Sequence, residues 1–242
     1  MSLPFFYIEN EYAANNILTL SEETSRHIVQ VLRMKEGTLL YLTNGKGLLL
    51  KAMLKEVHKK HAVVAVIEQQ QHQAPQQEVV MAVSLLKNTA RLEWFIEKAA
   101  ELGVNQIIPL RCERTEKMQF RLDRAKQILI SAMLQSRQYF LTQISEPQNY
   151  VAYIQSLKGN DFDSKWIAHC MPEEKLLLKN AINSLFKKTV LLIGPEGDFS
   201  EHEILLAKEN GFTSVSLGNT RLRTETAALT GAVILCMNRV IS

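Results

Sequence analysis

Cysteine is scarce: Cys112, Cys170 and Cys236 are odd in number, far apart and in no metal-ligand spacing. That excludes a disulfide scaffold and a zinc ribbon, and a reducing cytoplasm is the expected compartment. The six histidines are equally scattered. Their closest pair, His58 and His61, sits among Lys55, Lys59 and Lys60 with no cysteine or acidic cluster beside it, so no metal site is expected. Uninterrupted apolar runs of membrane-spanning length are missing, and Met1-Ser2-Leu3-Pro4-Phe5-Phe6-Tyr7 lacks the charged-then-apolar pattern of an export signal, so a soluble chain is expected. A dominant charge is lacking too: 28 Lys and Arg face 25 Asp and Glu, for a net +3. Residues 1–72 carry 8 against 7 and residues 78–242 carry 20 against 18, so neither half is a basic slab. Any contact with nucleic acid must come from local patches.

What is present is apolar substance: 46% of 242 residues, enough for one large core or two modest ones. The run Glu68-Gln69-Gln70-Gln71-His72-Gln73-Ala74-Pro75-Gln76-Gln77-Glu78 has almost no apolar side chains and contains a proline. It is the expected linker, placed at 69–77 between domains 1–72 and 78–242. Ahead of it, Thr38–Thr43 and Leu48–Leu54 flank Asn44-Gly45-Lys46-Gly47, a hairpin signal, and the β-branched run Ala62–Ile67 pairs with them. Ser21-Glu22-Glu23-Thr24 predicts a short capped helix. The first domain therefore reads as a small, mostly β, barrel-like module.

Beyond the linker, strands and helices alternate. Strands are predicted at Val79–Val83, Gln106–Leu110, Trp166–His169, Thr189–Ile193 and Ser214–Leu217. Helices are predicted from Leu92 to a stop at Gly103, from Leu122 to Met133, and over Glu173–Phe186, Ser200–Asn210 and Thr224–Val240. The last is apolar nearly all round, which predicts a buried or dimer-facing helix. Repeated β-then-α order implies a parallel sheet covered by helices.

In such sheets ligands bind beyond the carboxyl ends of the strands. Two of those ends have unusual composition. In Gly194-Pro195-Glu196-Gly197-Asp198, two glycines bracket a fixed proline and allow close approach of backbone to a ligand. The loop is neither Gly-x-Gly-x-x-Gly nor one ending in Gly-Lys-Ser/Thr, so dinucleotides and nucleoside triphosphates lose their usual support. The second end, Leu217-Gly218-Asn219-Thr220-Arg221-Leu222-Arg223-Thr224-Glu225-Thr226-Ala227, packs two arginines and an acid before an apolar helix. A capping hydroxyl at Thr224 and an acid at Glu225 suit a helix start. Arg221 and Arg223 do not, because the helix dipole repels cations there; they point to an anionic ligand or an internal ion pair.

The order Ile193–Gly197, Phe199-Ser200, Glu203, Leu217-Gly218 and Leu222–Ala227 resembles the 16S ribosomal RNA uracil-N3 methyltransferase family of the SPOUT class. The resemblance covers essentially the whole chain. Arg26-His27-Ile28 and Val31–Gly37 are similar to that family's PUA-like N-terminal module, and Lys87, Glu93, Lys98, Glu101–Val104 and Glu113-Arg114 to the first part of its catalytic domain. The implied fold is α/β, a trefoil-knotted parallel-sheet domain behind a small β-barrel. The implied cofactor is S-adenosylmethionine, cradled around Gly194, Pro195, Glu196, Gly197, Leu217, Gly218, Leu222, Thr224 and Ala227, and the implied assembly is a homodimer. The implied substrate is 16S ribosomal RNA within the small subunit. This sequence departs from the pattern at Asp198, where a third glycine is common, at Asn219-Thr220-Arg221, where a proline-containing version is frequent, and at Leu134–Gln138, which lacks the usual acid and arginine.

Methylation of a uracil imide nitrogen requires removal of its proton or stabilisation of the resulting anion. On this resemblance Glu225 is the candidate base or proton-path residue, with Arg223 and Arg114 stabilising charge on the uracil oxygens or positioning phosphate. A structural acid at a helix start is the competing reading of Glu225. Arg26, Arg33, Lys35, Lys46 and Arg221 are the candidate RNA contacts. Arg111, Arg114, Lys117, Arg121, Arg124 and Lys126 form the most basic local stretch. Two alternatives stand beside the enzyme: an RNA-binding ribosome-assembly factor without catalysis, and methylation elsewhere, such as a ribose 2′-hydroxyl.

Overall fold

The computed structural model describes residues 3–9, 16–116, 119–157, 162–183 and 185–238. The chain divides into two compact units, one of residues 1–74 with 133–141, the other of residues 75–132 with 142–242.

In the first unit, β1 (Phe5–Tyr7), β2 (Ile17–Thr19), β3 (Leu39–Thr43), β4 (Leu48–Glu56) and β5 (Val63–Gln71) form one sheet in the order β1-β3-β4-β5-β2. β1 pairs with β3 in parallel and the other neighbours are antiparallel. The hairpin predicted at Asn44-Gly45 joins β3 to β4: Gly45 and Gly47 take φ of +68° and +90°, and the Asn44 side chain accepts from the Lys46 and Leu48 amides. Alternation puts Leu48, Leu50, Ala52 and Leu54 inward against Phe6, Ile28, Leu40, Leu42 and Val64. The helix α1 (Glu22–Arg26) starts where Ser21 accepts from the Thr24 amide, and it runs into a π-helical turn at His27–Val31.

The glutamine run is not a linker from its first residue. β5 continues through Gln71, with Gln69–Gln71 opposite Leu50–Leu48. A strand ladder needs only backbone groups, so glutamines extend it while their side chains stay exposed. Segment 133–141 also joins this unit: the Gly47 amide donates to the Tyr139 carbonyl, the Leu141 amide to the Gly45 carbonyl, and His72 stacks on Tyr139 at 3.9 Å.

The second unit carries β6 (Glu78–Ser84), α2 (Thr89–Glu101), β7 (Gln106–Arg111), α3 (Leu122–Gln135), β8 (Gln143–Ile144), β9 (Gln148–Asn149), α4 (Tyr150–Ser156), β10 (Ser164–Ala168), β11 (Leu176–Leu177), α5 (Leu178–Ala181), β12 (Lys188–Ile193), α6 (Glu201–Glu209), β13 (Thr213–Ser216) and α7 (Thr224–Met237). The strands are parallel in the order β11-β13-β10-β12-β6-β7-β8, with β9 also on β7. β6 and β12, apolar over Val79–Val83 and Val190–Ile193, are buried there on both faces, as a parallel sheet covered by helices requires. Val80, Ile108, Ile167, Val190, Leu192, Tyr150, Phe199 and Ile204 build one core. α7 packs on α2, β6 and β12, and Gly231 lies so close to Leu191 that a β-carbon there would collide with it.

One expectation needs correction, one is narrowed, and one helix is additional. The helix predicted over Glu173–Phe186 shrinks to α5, because Leu176-Leu177 pairs with β13 and takes that stretch into the sheet. α7 is not buried all round: Val233 and Met237 are exposed, while its other face holds Ala228, Gly231, Ala232 and Leu235. The expected end of that helix, Arg239 and Val240, lies outside the described residues. α4 went unpredicted although Asn149 caps it through the Ala152 amide and Tyr150, Tyr153 and Ile154 recur at helical spacing.

Candidate active site

β13, β10 and β12 are adjacent and parallel, so the loops that follow them emerge side by side at one edge of the sheet. The loop after β12 is tightly built. Gly194 is buried, and a β-carbon there would stand 3.0 Å from the Phe199 amide nitrogen, a contact that the Phe199 backbone must yield to accommodate. The Asp198 amide donates to the Pro195 carbonyl at 2.9 Å, closing a turn. Asp198 takes φ +65°, which explains why a glycine is common there. Its side chain accepts from the Phe199 amide at 2.8 Å and the Cys170 amide at 2.7 Å.

Neighbouring elements hold the same loop. The Lys87 amide donates to the Glu196 carboxylate at 3.0 Å, and Arg114 Nη1 donates to the Gly197 carbonyl at 2.9 Å. Ser200 and Glu203 form a complete capping box at the start of α6. The buried Glu203 carboxylate also accepts from the Glu113 amide at 2.8 Å, which fastens the approach to Arg114. Arg114, predicted as catalytic, thus has a demonstrable task in shaping the glycine loop.

The loop after β13 is open. Gly218 takes φ +148° with no atoms near the space a β-carbon would occupy, and the Ser216 hydroxyl bonds both its amide and its carbonyl. Leu217 and Leu222 are half-buried; Arg221 and Arg223 are exposed, and their side chains have no hydrogen-bond or ion-pair partner among the described residues. The internal ion pair considered for these arginines is not present among the described residues. Capping by the Thr224 hydroxyl is corrected: Arg223 is the N-cap and makes no side-chain cap bond, while Thr224 is the buried first helical residue. Glu225 is 8% exposed and faces Arg91 Nε at 3.4 Å. Sequence reasoning missed Arg91, which sits in the first turn of α2; only the packing of α2 on α7 brings it to the acid. Ala227 lies one turn along α7, its amide donating to the Arg223 carbonyl.

The loop after β10 was also missed. His169 Nε2 lies 3.0 Å from the Ser214 hydroxyl and 3.1 Å from Glu173 Oε1. Lys175 Nζ donates to the His169 and Met171 carbonyls and stands 3.5 Å from His169 Nδ1. Burial, seconded by the Lys175 charge, lowers the His169 pKa. The ring is thus neutral, with Nε2–H serving Ser214 and Glu173 and Nδ1 facing the ammonium. The Lys208 hydrogen bond to Glu173, aided by Ser214, pulls that carboxyl down to about 2.

These strand ends fit a nucleoside bearing an amino-acid tail. Gly218 exposes backbone with nothing within 4 Å of a β-carbon position, Gly197 is exposed with only the Arg114 side chain against it at 3.5 Å, and the half-buried Leu217 and Leu222 offer apolar surface of the kind a planar base packs on. The remaining predicted contacts lie in the first unit: Arg26, Arg33, Lys35 and Lys46 are exposed, with Arg26 paired to Glu22 at 2.8 Å. Arg124 pairs with Glu93, and Lys117 falls outside the described residues. Among the described residues no group of His, Cys, Asp or Glu could hold a metal ion, and no helix is long and apolar enough to cross a membrane.

Residues 72–235 match the RNA methyltransferase domain family and residues 20–67 match the RNA methyltransferase PUA domain. The chain is 26% identical over 239 residues to the ribosomal RNA small subunit methyltransferase E of Buchnera aphidicola subsp. Acyrthosiphon pisum, covering 96% of this chain and 92% of that one. Among solved structures it is similar to a ribosomal RNA small subunit methyltransferase E from Neisseria gonorrhoeae bound to S-adenosyl methionine, with a TM-score of 0.87, 27% identity and 98% of both chains covered. It is also similar to a probable rRNA-methyltransferase from Porphyromonas gingivalis, with a TM-score of 0.86, 30% identity and 98% and 100% covered. The family model spans both glycine loops and the sheet that carries them, and the chain belongs to the RNA methyltransferase domain family.

Proposed function

We propose that this protein transfers a methyl group from S-adenosylmethionine to N3 of a uridine in small-subunit ribosomal RNA. The observation that carries the reading is a pair of glycine loops at the ends of the two parallel strands that flank β10, with two arginines on the second whose side chains have no partner among the described residues. Gly194, Pro195, Glu196, Gly197, Leu217, Gly218, Leu222, Thr224 and Ala227 hold the cofactor. When bound, it supplies a sulfonium-activated methyl carbon.

The protein's own part is to place and charge the nucleotide. Arg223, exposed beside the loop, neutralises charge on the uracil oxygens as N3 loses its proton, and Arg221 takes RNA phosphate. Arg114 acts through the loop it props rather than on the base. Glu225 receives or relays the imide proton, and its Arg91 partner orients the carboxylate. Arg26, Arg33, Lys35 and Lys46 add phosphate contacts in the first unit. We also propose the trefoil knot, a homodimer that covers the exposed Val233 and Met237 of α7, and action in the cytoplasm, where ribosomal RNA is.

Nucleosides from small-subunit RNA incubated with the protein and isotopically labelled cofactor, analysed by mass spectrometry, test the reading. Labelled 3-methyluridine is expected. Label in a 2′-O-methyl nucleoside would replace the target, and absence of label with intact RNA binding would make the protein an assembly factor.

A further inference from the structure

We propose that Asp198 is a positioning residue for the cofactor: its carboxylate clasps the loop after β12 to the loop after β10, and so fixes Gly194–Gly197 in the shape that receives S-adenosylmethionine. The inference rests on the assignment of those glycine loops to the cofactor.

The backbone at Asp198 is left-handed, φ +65°, where glycine sits without strain and aspartate does so at a modest cost. An aspartate that only served its own turn would bond its chain neighbour. Oδ1 does this, accepting from the Phe199 amide at 2.8 Å. Oδ2 does something else: it accepts from the Cys170 amide at 2.7 Å, 28 residues away in sequence, on the next strand end. Both oxygens of an anionic group are thus occupied by amides, the stronger kind of hydrogen bond.

The loop it grips is itself anchored. His169, beside Cys170, bonds Ser214 of β13; Glu173 pairs with Lys208 of α6 at 2.6 Å; and Lys175 ties the His169 and Met171 carbonyls together. A continuous line of bonds therefore runs from the β12 loop through Asp198 and the β10 loop to β13, whose own end carries Leu217 and Gly218. Asp198 closes that line at the point where glycine would leave it open.

The full-length chain with Asp198→Gly and with Asp198→Asn tests this. Glycine adopts the same backbone without strain and removes both bonds, whereas asparagine tolerates the conformation and keeps one acceptor oxygen. Two quantities are read: the S-adenosylmethionine dissociation constant by calorimetry, and the alkylation rate of Cys170 by iodoacetamide, followed on its own peptide. Cys170 is exposed, whereas burial pushes the Cys112 thiol up to about 12 and out of the reaction. Asp198→Gly is expected to raise the dissociation constant about tenfold, on the order of one charged hydrogen bond. It should act on KM for the cofactor rather than on kcat, and it should speed Cys170 alkylation. Asp198→Asn is expected to restore most of the affinity.

An unchanged dissociation constant in the glycine variant, or a fall in kcat alone, overturns the proposal. If the unaltered protein binds no S-adenosylmethionine, the cofactor assignment fails and the positioning role falls with it. The alkylation rate needs no cofactor, so it still separates the cases: faster labelling in the glycine variant leaves the clasp real, and equal rates remove it.

Discussion

The loop after β12 is gripped from four sides, by the Lys87 amide, Arg114, the Cys170 amide and the α6 capping box, whereas the loop after β13 is bonded mainly by one serine and presents two unpaired arginines. The first spends its polar groups on itself, and its shape is fixed before any ligand arrives. The second keeps its charges for something outside the fold. A loop fixed by its own bonds and a loop with exposed charged side chains thus stand on either side of β10, and variants in the two should fail in different ways.

The largest effect is expected at the rigid loop. Gly194→Ala drives a methyl group against the Phe199 backbone, and overpacking of about 1–3 kcal/mol would weaken cofactor binding by up to about 100-fold, read by calorimetry. A binding constant close to that of the unaltered protein would show that the loop yields. In the open loop, Arg223→Ala should lower kcat/KM on RNA by about 30-fold while leaving thermal stability and cofactor affinity unchanged, since the side chain has no partner among the described residues to lose. A drop of several degrees in Tm would instead mark it as structural.

Glu225 lies between these extremes, buried like the first loop and charged like the second. Glu225→Gln should slow single-turnover methylation about tenfold at saturating RNA, and Arg91→Ala should follow it in direction. A near-normal rate for the glutamine variant removes the proton-path role and leaves a first-turn acid on α7. The smallest effect is a pH dependence of stability. The folded His169 pKa lies below its ordinary 6.5, so the unfolded chain takes up a proton that the folded one refuses. The stability this contributes is present above pH 6.5 and is lost as pH falls from there towards the folded pKa. Groups facing the ring are Lys175, Glu173, Asp198 and Lys208. His169→Asn should flatten Tm against pH in that window, while Glu173, at about 2 folded against 4.5 unfolded, acts only below pH 4.5.

Much of this was legible beforehand because local chemistry determined it. Asn44-Gly45 made its hairpin, Ser200 and Glu203 made their capping box, Gly103 ended α2, and the unusual composition at Gly194 and Gly218 marked strand ends. Where a segment had two compatible partners, local chemistry was insufficient. Leu176-Leu177 has helical neighbours yet pairs with β13, and the glutamines to Gln71 lack apolar side chains yet extend β5.

The sequence by itself determined the alternation of strands and helices, the hairpin and the two glycine loops, since each depends on residues within a few positions of one another. Only the tertiary structure decided which distant groups meet: Arg91 with Glu225, Arg114 with Gly197, Asp198 with Cys170, and His169 with Ser214. Those pairings follow from strand order in the sheet, which places β10 between β12 and β13, and no spacing along the chain encodes that order.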